Sequence, residues 1–205
     1  MFLLHRSLPG VIGRARPVLS ILALVGVVFG AVSANPAPLV LDDTGKPYAP
    51  LPTVPMGQLN ARLLAVHNAE RARMNLPLLA WNDQLAADAR QWAEHLAQQK
   101  VMRLEHDMRD PNREGENLWA GSIHDYTPEE MAGAWIAEKQ DYRAGVFPNV
   151  SRTGDWEDVG HYTQIIWQDT RQVGCALVAN ANDEYLVCRY SKPGNWDGQQ
   201  PIHGS

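Results

Sequence analysis

The chain has 205 residues, 45% of them hydrophobic and 20% charged, with a formal net charge of −5 and only two cysteines. That length accommodates one ordinary domain plus additional segments. An acidic balance without a basic run argues against nucleic acid or an anionic membrane surface as a partner.

Residues 1–17 carry Arg6, Arg14 and Arg16 and no acid, and a nearly unbroken apolar run follows from Val18 to Val32. This is the pattern of a secretory signal peptide, with Val32 and Ala34 suiting cleavage after residue 34. The run is short for a membrane span of about 20 residues, so no span is expected after cleavage. Without residues 1–34, 15 basic side chains face 23 acidic ones, a net charge of −8. Residues 35–56 hold prolines 36, 38, 47, 50, 52 and 55, a density that blocks helix and central strand and reads as an extended linker.

Leu59 to Met74 reads as the first helix, with Leu59, Leu63, Val66 and Met74 near one stripe and His67 beside it. Asn75-Leu76-Pro77 breaks it. Asn82 or Asp83 can cap a second helix running to about Lys100, whose buried face is Leu85, Ala89, Trp92 and Leu96. His95 is expected at the surface. His106 follows in Val101–Asp107, and residue chemistry alone does not favour it over His95. Glu114 and Glu116 come next and read as part of a second loop, likewise equivalent by chemistry alone.

Thr127-Pro128-Glu129-Glu130 is a helix start, with a capping threonine, proline at the first helical position and a capping-box glutamate. The helix is expected to reach Arg143. Its apolar stripe is Met131 and Trp135, then Glu138 at the next position of the pattern, then Tyr142. An acid on a buried stripe is costly unless a cation, a metal or a donor meets it. Arg143 to Val159 reads as a loop, with Asp155, Glu157 and Asp158 just before His161 and a glycosylation sequon at Asn149-Val150-Ser151.

Gly160 to Thr170 is rich in β-branched and aromatic residues and reads as a strand covered on both faces. Val173–Ala179 and Tyr185–Tyr190 read as a hairpin around the turn-forming Asn180–Asp183. A hairpin centred between Ala181 and Asn182 sets Cys175 opposite Cys188, and in an exported chain this pair is expected to form a disulfide.

Four stretches, in order, resemble the signatures of the CAP superfamily, the cysteine-rich secretory, antigen 5 and pathogenesis-related 1 proteins. They are His67-Asn68-Ala69-Glu70-Arg71, Gly115-Glu116-Asn117-Leu118, Gly160 to Thr170, and Cys188-Arg189-Tyr190-Ser191-Lys192-Pro193-Gly194-Asn195-Trp196. Lys192 departs from the restricted residue usual at its position. The resemblance covers about residues 57–200, followed by a tail at 201–205. It implies an α+β fold, a three-layer α-β-α sandwich whose central antiparallel sheet is built largely from strands after residue 160. It selects His106 over His95 and Glu116 over Glu114. It also gives His67 a structural role and gathers His106, Glu116, Glu138 and His161 into one cleft.

Two imidazoles and two carboxylates suit Zn²⁺, with Mg²⁺ less favoured by nitrogen ligands. His106 and His161 are the expected ligands, with Glu116 and Glu138 as possible additions. No HExxH occurs, so the usual zinc-peptidase signature is missing. The resemblance implies a secreted, chiefly non-enzymatic binding protein with a lipid or sterol ligand and a defence or host-interaction role. A hydrolase using the same tetrad and a structural envelope domain are the alternatives. There is no GxSxG, and bonded cysteines leave no free thiol nucleophile.

Overall fold

A computed structural model describes residues 58–110 and 112–204. The signal segment and the whole of the linker expected from sequence lie outside the described residues. Helix α1 is Leu59–Arg73, followed by β1 (Ala80–Trp81), α2 (Asp83–Ala97) and β2 (Gly115–Ser122). Then come α3 (Pro128–Ala137), 3₁₀ turns at Glu138–Gln140 and Trp156–Val159, α4 (Gly160–Ile165), β3 (Gln172–Ala179) and β4 (Asp183–Ser191).

The four strands form one sheet in the order β1-β3-β4-β2. Three of them run antiparallel, while the two-residue β1 joins β3 in parallel, so the sheet is mixed. Side-chain alternation sends the two faces to different helices. On one face Leu118, Ala120, Ala176, Tyr185 and Val187 pack against Ala89, Trp92, Ala93 and Leu96 of α2. On the other, Trp119, Val173, Cys175, Leu186 and Tyr190 pack against Leu63 of α1, Met131 and Trp135 of α3, and Tyr162 and Ile165 of α4. This is the expected three-layer sandwich. Each fully buried large side chain contributes roughly 1.5–3 kcal/mol. The bulk of Trp135, Tyr185 and Tyr190, all under 2% exposed, explains how so small a domain fills two cores.

The helix starts follow their sequence signals. Asn82 caps α2 by accepting from the amides of Gln84 and Leu85. Thr127 and Glu130 close a reciprocal capping box on α3, with Pro128 at the first position. Gly174 lets the start of α2 lie directly on β3, because a Cβ there would strike the backbone of Asn82 and Ala86. The hairpin has the expected register, with Cys175 opposite Cys188 and bonded to it. Asn180 shapes its turn by accepting from the amides of Asn182 and Asp183.

Three expectations need correction. Gly160–Ile165 is a short helix rather than a strand. Tyr162, Thr163, Gln164 and Ile165 are all buried, so the two-sided burial was right and the element wrong. The Gly115-Glu116-Asn117 motif lies in β2 rather than in a loop. Helix α3 stops at Ala137 and tightens into a 3₁₀ turn at Glu138, short of Arg143. Among the described residues, no helix is long and apolar enough to cross a membrane.

Candidate functional site

Glu116 stands near the start of β2, on the α2 side of the sheet, directly opposite Arg189 of β4. Its Oε1 accepts from His106 Nδ1 at 2.7 Å and from the Asp107 amide at 3.2 Å. Its Oε2 faces Arg189 Nη2 at 3.0 Å. The segment that brings His106 here is tied to α2 one residue earlier, where Trp92 Nε1 donates to the Glu105 carbonyl at 2.9 Å. The Glu116 side chain is buried, while that of His106 is 39% exposed.

The second pair sits on the other side of β2. Glu138 Oε1 accepts from His161 Nδ1 at 2.6 Å. Glu138 Oε2 accepts from the amides of His161 and Tyr162, each at 3.0 Å. Those amides belong to the first turn of α4 and have no partner within it, so Glu138 satisfies them from outside. The acid on the α3 stripe therefore finds donors. The His161 ring lies nearly parallel to Trp135, with centroids 6.0 Å apart. Trp135 Nε1 in turn donates to the Leu118 carbonyl of β2.

The two pairs meet at neighbouring residues of one strand. Glu116 holds the first, and Asn117 donates to the His161 carbonyl at 3.1 Å. The four residues singled out by sequence thus form two histidine–glutamate pairs, one on each side of β2, an edge strand of the sheet. Gly115, which opens the strand, is closely approached by the Gln164 side chain, where a Cβ would collide.

The hydrogen bonds separate the roles. Each carboxylate is acceptor-only and engages an imidazole Nδ1, so Nδ1 carries the proton and Nε2 keeps a lone pair when the ring is neutral. That is the arrangement in which a carboxylate orients a metal-binding histidine. Both oxygens of both glutamates already face donors. The donor set therefore offers two nitrogens, with the glutamates behind them. Nitrogen donors of this kind suit Zn²⁺ better than Mg²⁺, which prefers oxygen ligands. Among the described residues, no group of three or more His, Cys, Asp or Glu side chains is arranged to hold a metal ion.

The other histidines have different work. His67 is fully buried, donates from Nδ1 to the Leu63 carbonyl (2.8 Å) and accepts at Nε2 from Tyr190 (2.7 Å). Burial lowers its pKa to about 4, which keeps it neutral. Its motif partner Arg71 is also fully buried and donates to the carbonyls of Pro77, Ile165, Trp167 and Thr170. His95 is half exposed, stacks on Trp92 at 4.5 Å and stands 3.6 Å from Glu105. In the acidic run before His161, Asp155 caps the 3₁₀ turn through the Glu157 amide, and Asp158 accepts from Thr153.

Sequence reasoning passed over Arg189, Asn117 and Asp107, which bind the site together. A cavity of ≈ 310 Å³ lies beside Arg189 and Asp107, lined also by Asp88, Trp92, Asp110 and Arg109. Its lining is charged rather than apolar.

The family model for CAP, the cysteine-rich secretory protein family, matches residues 64–190. A pathogenesis-related protein of PR-1 type from Sambucus nigra is 39% identical over 66% of this chain and 77% of its own length. Pathogenesis-related protein 1A from Nicotiana tabacum is 37% identical over 67% and 77%. Among solved structures, BmVAL-1 superposes with a TM-score of 0.60 at 21% identity, over 76% of this chain and 86% of that one. NaASP2, solved with Zn²⁺, gives 0.58 at 23% identity, over 74% and 89%. At these identities the structural likeness speaks to the fold.

Proposed function

The chain belongs to the CAP, or cysteine-rich secretory protein, family, and from that premise we propose that it is an exported binding protein whose His106 and His161 hold a divalent transition-metal ion, with Zn²⁺ the best match. The observation that carries this reading is the engagement of each Nδ1 by a glutamate, 2.7 Å in one pair and 2.6 Å in the other. That engagement leaves both Nε2 atoms as the ligating positions. NaASP2 solved with Zn²⁺ is a neighbour in fold and supports the choice of ion. When bound, the ion supplies a Lewis acid for a water or an anionic ligand atom. Glu116 and Glu138 fix the rings, Trp135 covers the flat face of His161, and the exposed side of His106 leaves an entry path.

The pathogenesis-related names of the plant relatives support a defence or host-interaction role. The lipid or sterol ligand rests on the family resemblance alone, because the cavity beside the site is charged. Export rests on the signal pattern of residues 1–34 and on the disulfide.

Thermal unfolding with and without metal tests the reading. At a hundredfold excess over its dissociation constant, Zn²⁺ adds about 2.7 kcal/mol and raises Tm by roughly 5–10 °C. Mg²⁺ at the same concentration leaves Tm unchanged. A shift that is absent with Zn²⁺, or equal for both ions, defeats the assignment. Protection of a fluorescent sterol or fatty acid from solvent tests the lipid part separately.

A further inference from the structure

We propose that Arg189 is the positioning residue for the His106 half of the site, a latch that closes the segment between α2 and β2 and so aims His106. The proposal rests on the reading of His106 as a ligand. Arg189 is only 2% exposed, and a charge so buried is costly unless it is paired. Its guanidinium reaches Glu116 at 3.0 Å, Asp107 and Asp110 at 3.2 Å each, and Glu114 at 3.9 Å.

Three of those acids belong to the segment that delivers His106. Among its described residues that segment has no helix or strand, and the bonds within it are short-range, such as the Glu114 amide to Asp110 at 2.6 Å. Without Arg189, four carboxylates would face one another across a buried corner, and Glu116 would lose its cation. Glu116 also receives His106 Nδ1 and the Asp107 amide, so the orientation of the ring passes through the latch. The His161 half is built differently: Glu138 is fixed by two backbone amides of α4 and makes no contact with Arg189. The two histidines therefore depend on different supports, and a change at Arg189 is felt by His106 alone.

The test uses metal-free protein, so a failure to bind zinc would refute the site reading and leave this experiment intact. The ring nitrogens of His106 and His161 are observed by NMR in the wild type, Arg189→Met and Asp110→Ala. The amide exchange of Asp107 and Glu114 is followed in the same samples. In the wild type both rings show a single Nδ1–H tautomer. In Arg189→Met the His106 ring populates both tautomers, and the two amides exchange about tenfold faster, the loss of roughly one charge-assisted hydrogen bond. His161 keeps its tautomer. A folded Arg189→Met with an unchanged His106 ring, or with both histidines altered alike, overturns the proposal. Should Arg189→Met fail to fold, Asp110→Ala decides: it removes one of the three acids through which Arg189 holds the segment and leaves Asp107 and Glu114 in place, so the Asp107 amide should exchange measurably faster, and unchanged protection would overturn the proposal.

Discussion

Glu138 grips His161 twice, taking the ring nitrogen on one carboxylate oxygen and the residue's own amide on the other. The same oxygen also takes the Tyr162 amide. One side chain thus sets both the start of α4 and the tautomer of a site histidine. In Glu138→Gln the amide oxygen can keep the two backbone N–H groups only with its NH2 turned to His161 Nδ1, which moves the ring proton to Nε2 and replaces a charged acceptor by a neutral one. Charge-assisted hydrogen bonds contribute about 1.5–3 kcal/mol each, so a loss of about 2–4 kcal/mol is expected in urea unfolding. A loss below 0.5 kcal/mol would show that this grip is dispensable.

Arg71 performs the matching task at the other end of α4. Three of its four bonds go to the carbonyls of Ile165, Trp167 and Thr170 and the fourth to Pro77, so it ties the chain after α4 to the turn after α1. Burial lowers its pKa to about 10, so it stays charged at neutral pH. Arg71→Met fills the space and removes this donor from the Pro77 and Ile165 carbonyls, while those of Trp167 and Thr170 keep a second one. The expected cost is about 3–5 kcal/mol, read from the urea midpoint.

His67 gives stability a defined pH dependence. The folded ring accepts its second proton only near pH 4, chiefly because burial disfavours the charge, whereas the unfolded chain does so near 6.5. Between those values the unfolded state binds more protons, so stability is complete above pH 6.5 and is lost as the pH falls toward 4. The contribution lost is on the order of 3 kcal/mol. Urea unfolding across that window in the wild type and His67→Gln checks it: the slope should be shallower in the variant. Equal slopes would place the dependence elsewhere.

The disulfide joins neighbouring strands 13 residues apart in sequence. A loop of that size predicts about 3 kcal/mol of stabilisation through the unfolded state. Unfolding with and without reductant measures it, and an unchanged midpoint would mean that the paired strands hold the hairpin unaided.

Local chemistry was legible where one residue decides one bond. The capping box at Thr127 and the facing cysteines of the hairpin needed no tertiary information. Glu138 stood out because an acid interrupted an apolar stripe. Gly160–Ile165 misled because its aromatic and branched residues favour strand, while its helix depends on Glu138, more than twenty residues earlier, and on burial from both sides. Such burial erases the periodicity by which a helix is recognised. Glu116 looked like a loop residue because its place in β2 depends on Arg189 across the ladder, a pairing that cannot be read before the strand order is known. His106 was selected over His95 by the family resemblance. The physical difference is that His95 stacks on Trp92 with only an exposed carboxylate 3.6 Å away, whereas His106 hydrogen-bonds a buried one at 2.7 Å.

Under the proposed function, the two carboxylate-oriented imidazoles form one cation site. Calorimetric titration of the mature protein with Zn²⁺, beside a His106→Ala/His161→Ala double variant, tests it most directly. The account predicts saturable binding near one ion per chain in the wild type and none in the variant at the same concentrations. Equal heats in both proteins, or no binding in either, would contradict it and leave the pairs as supports of the fold.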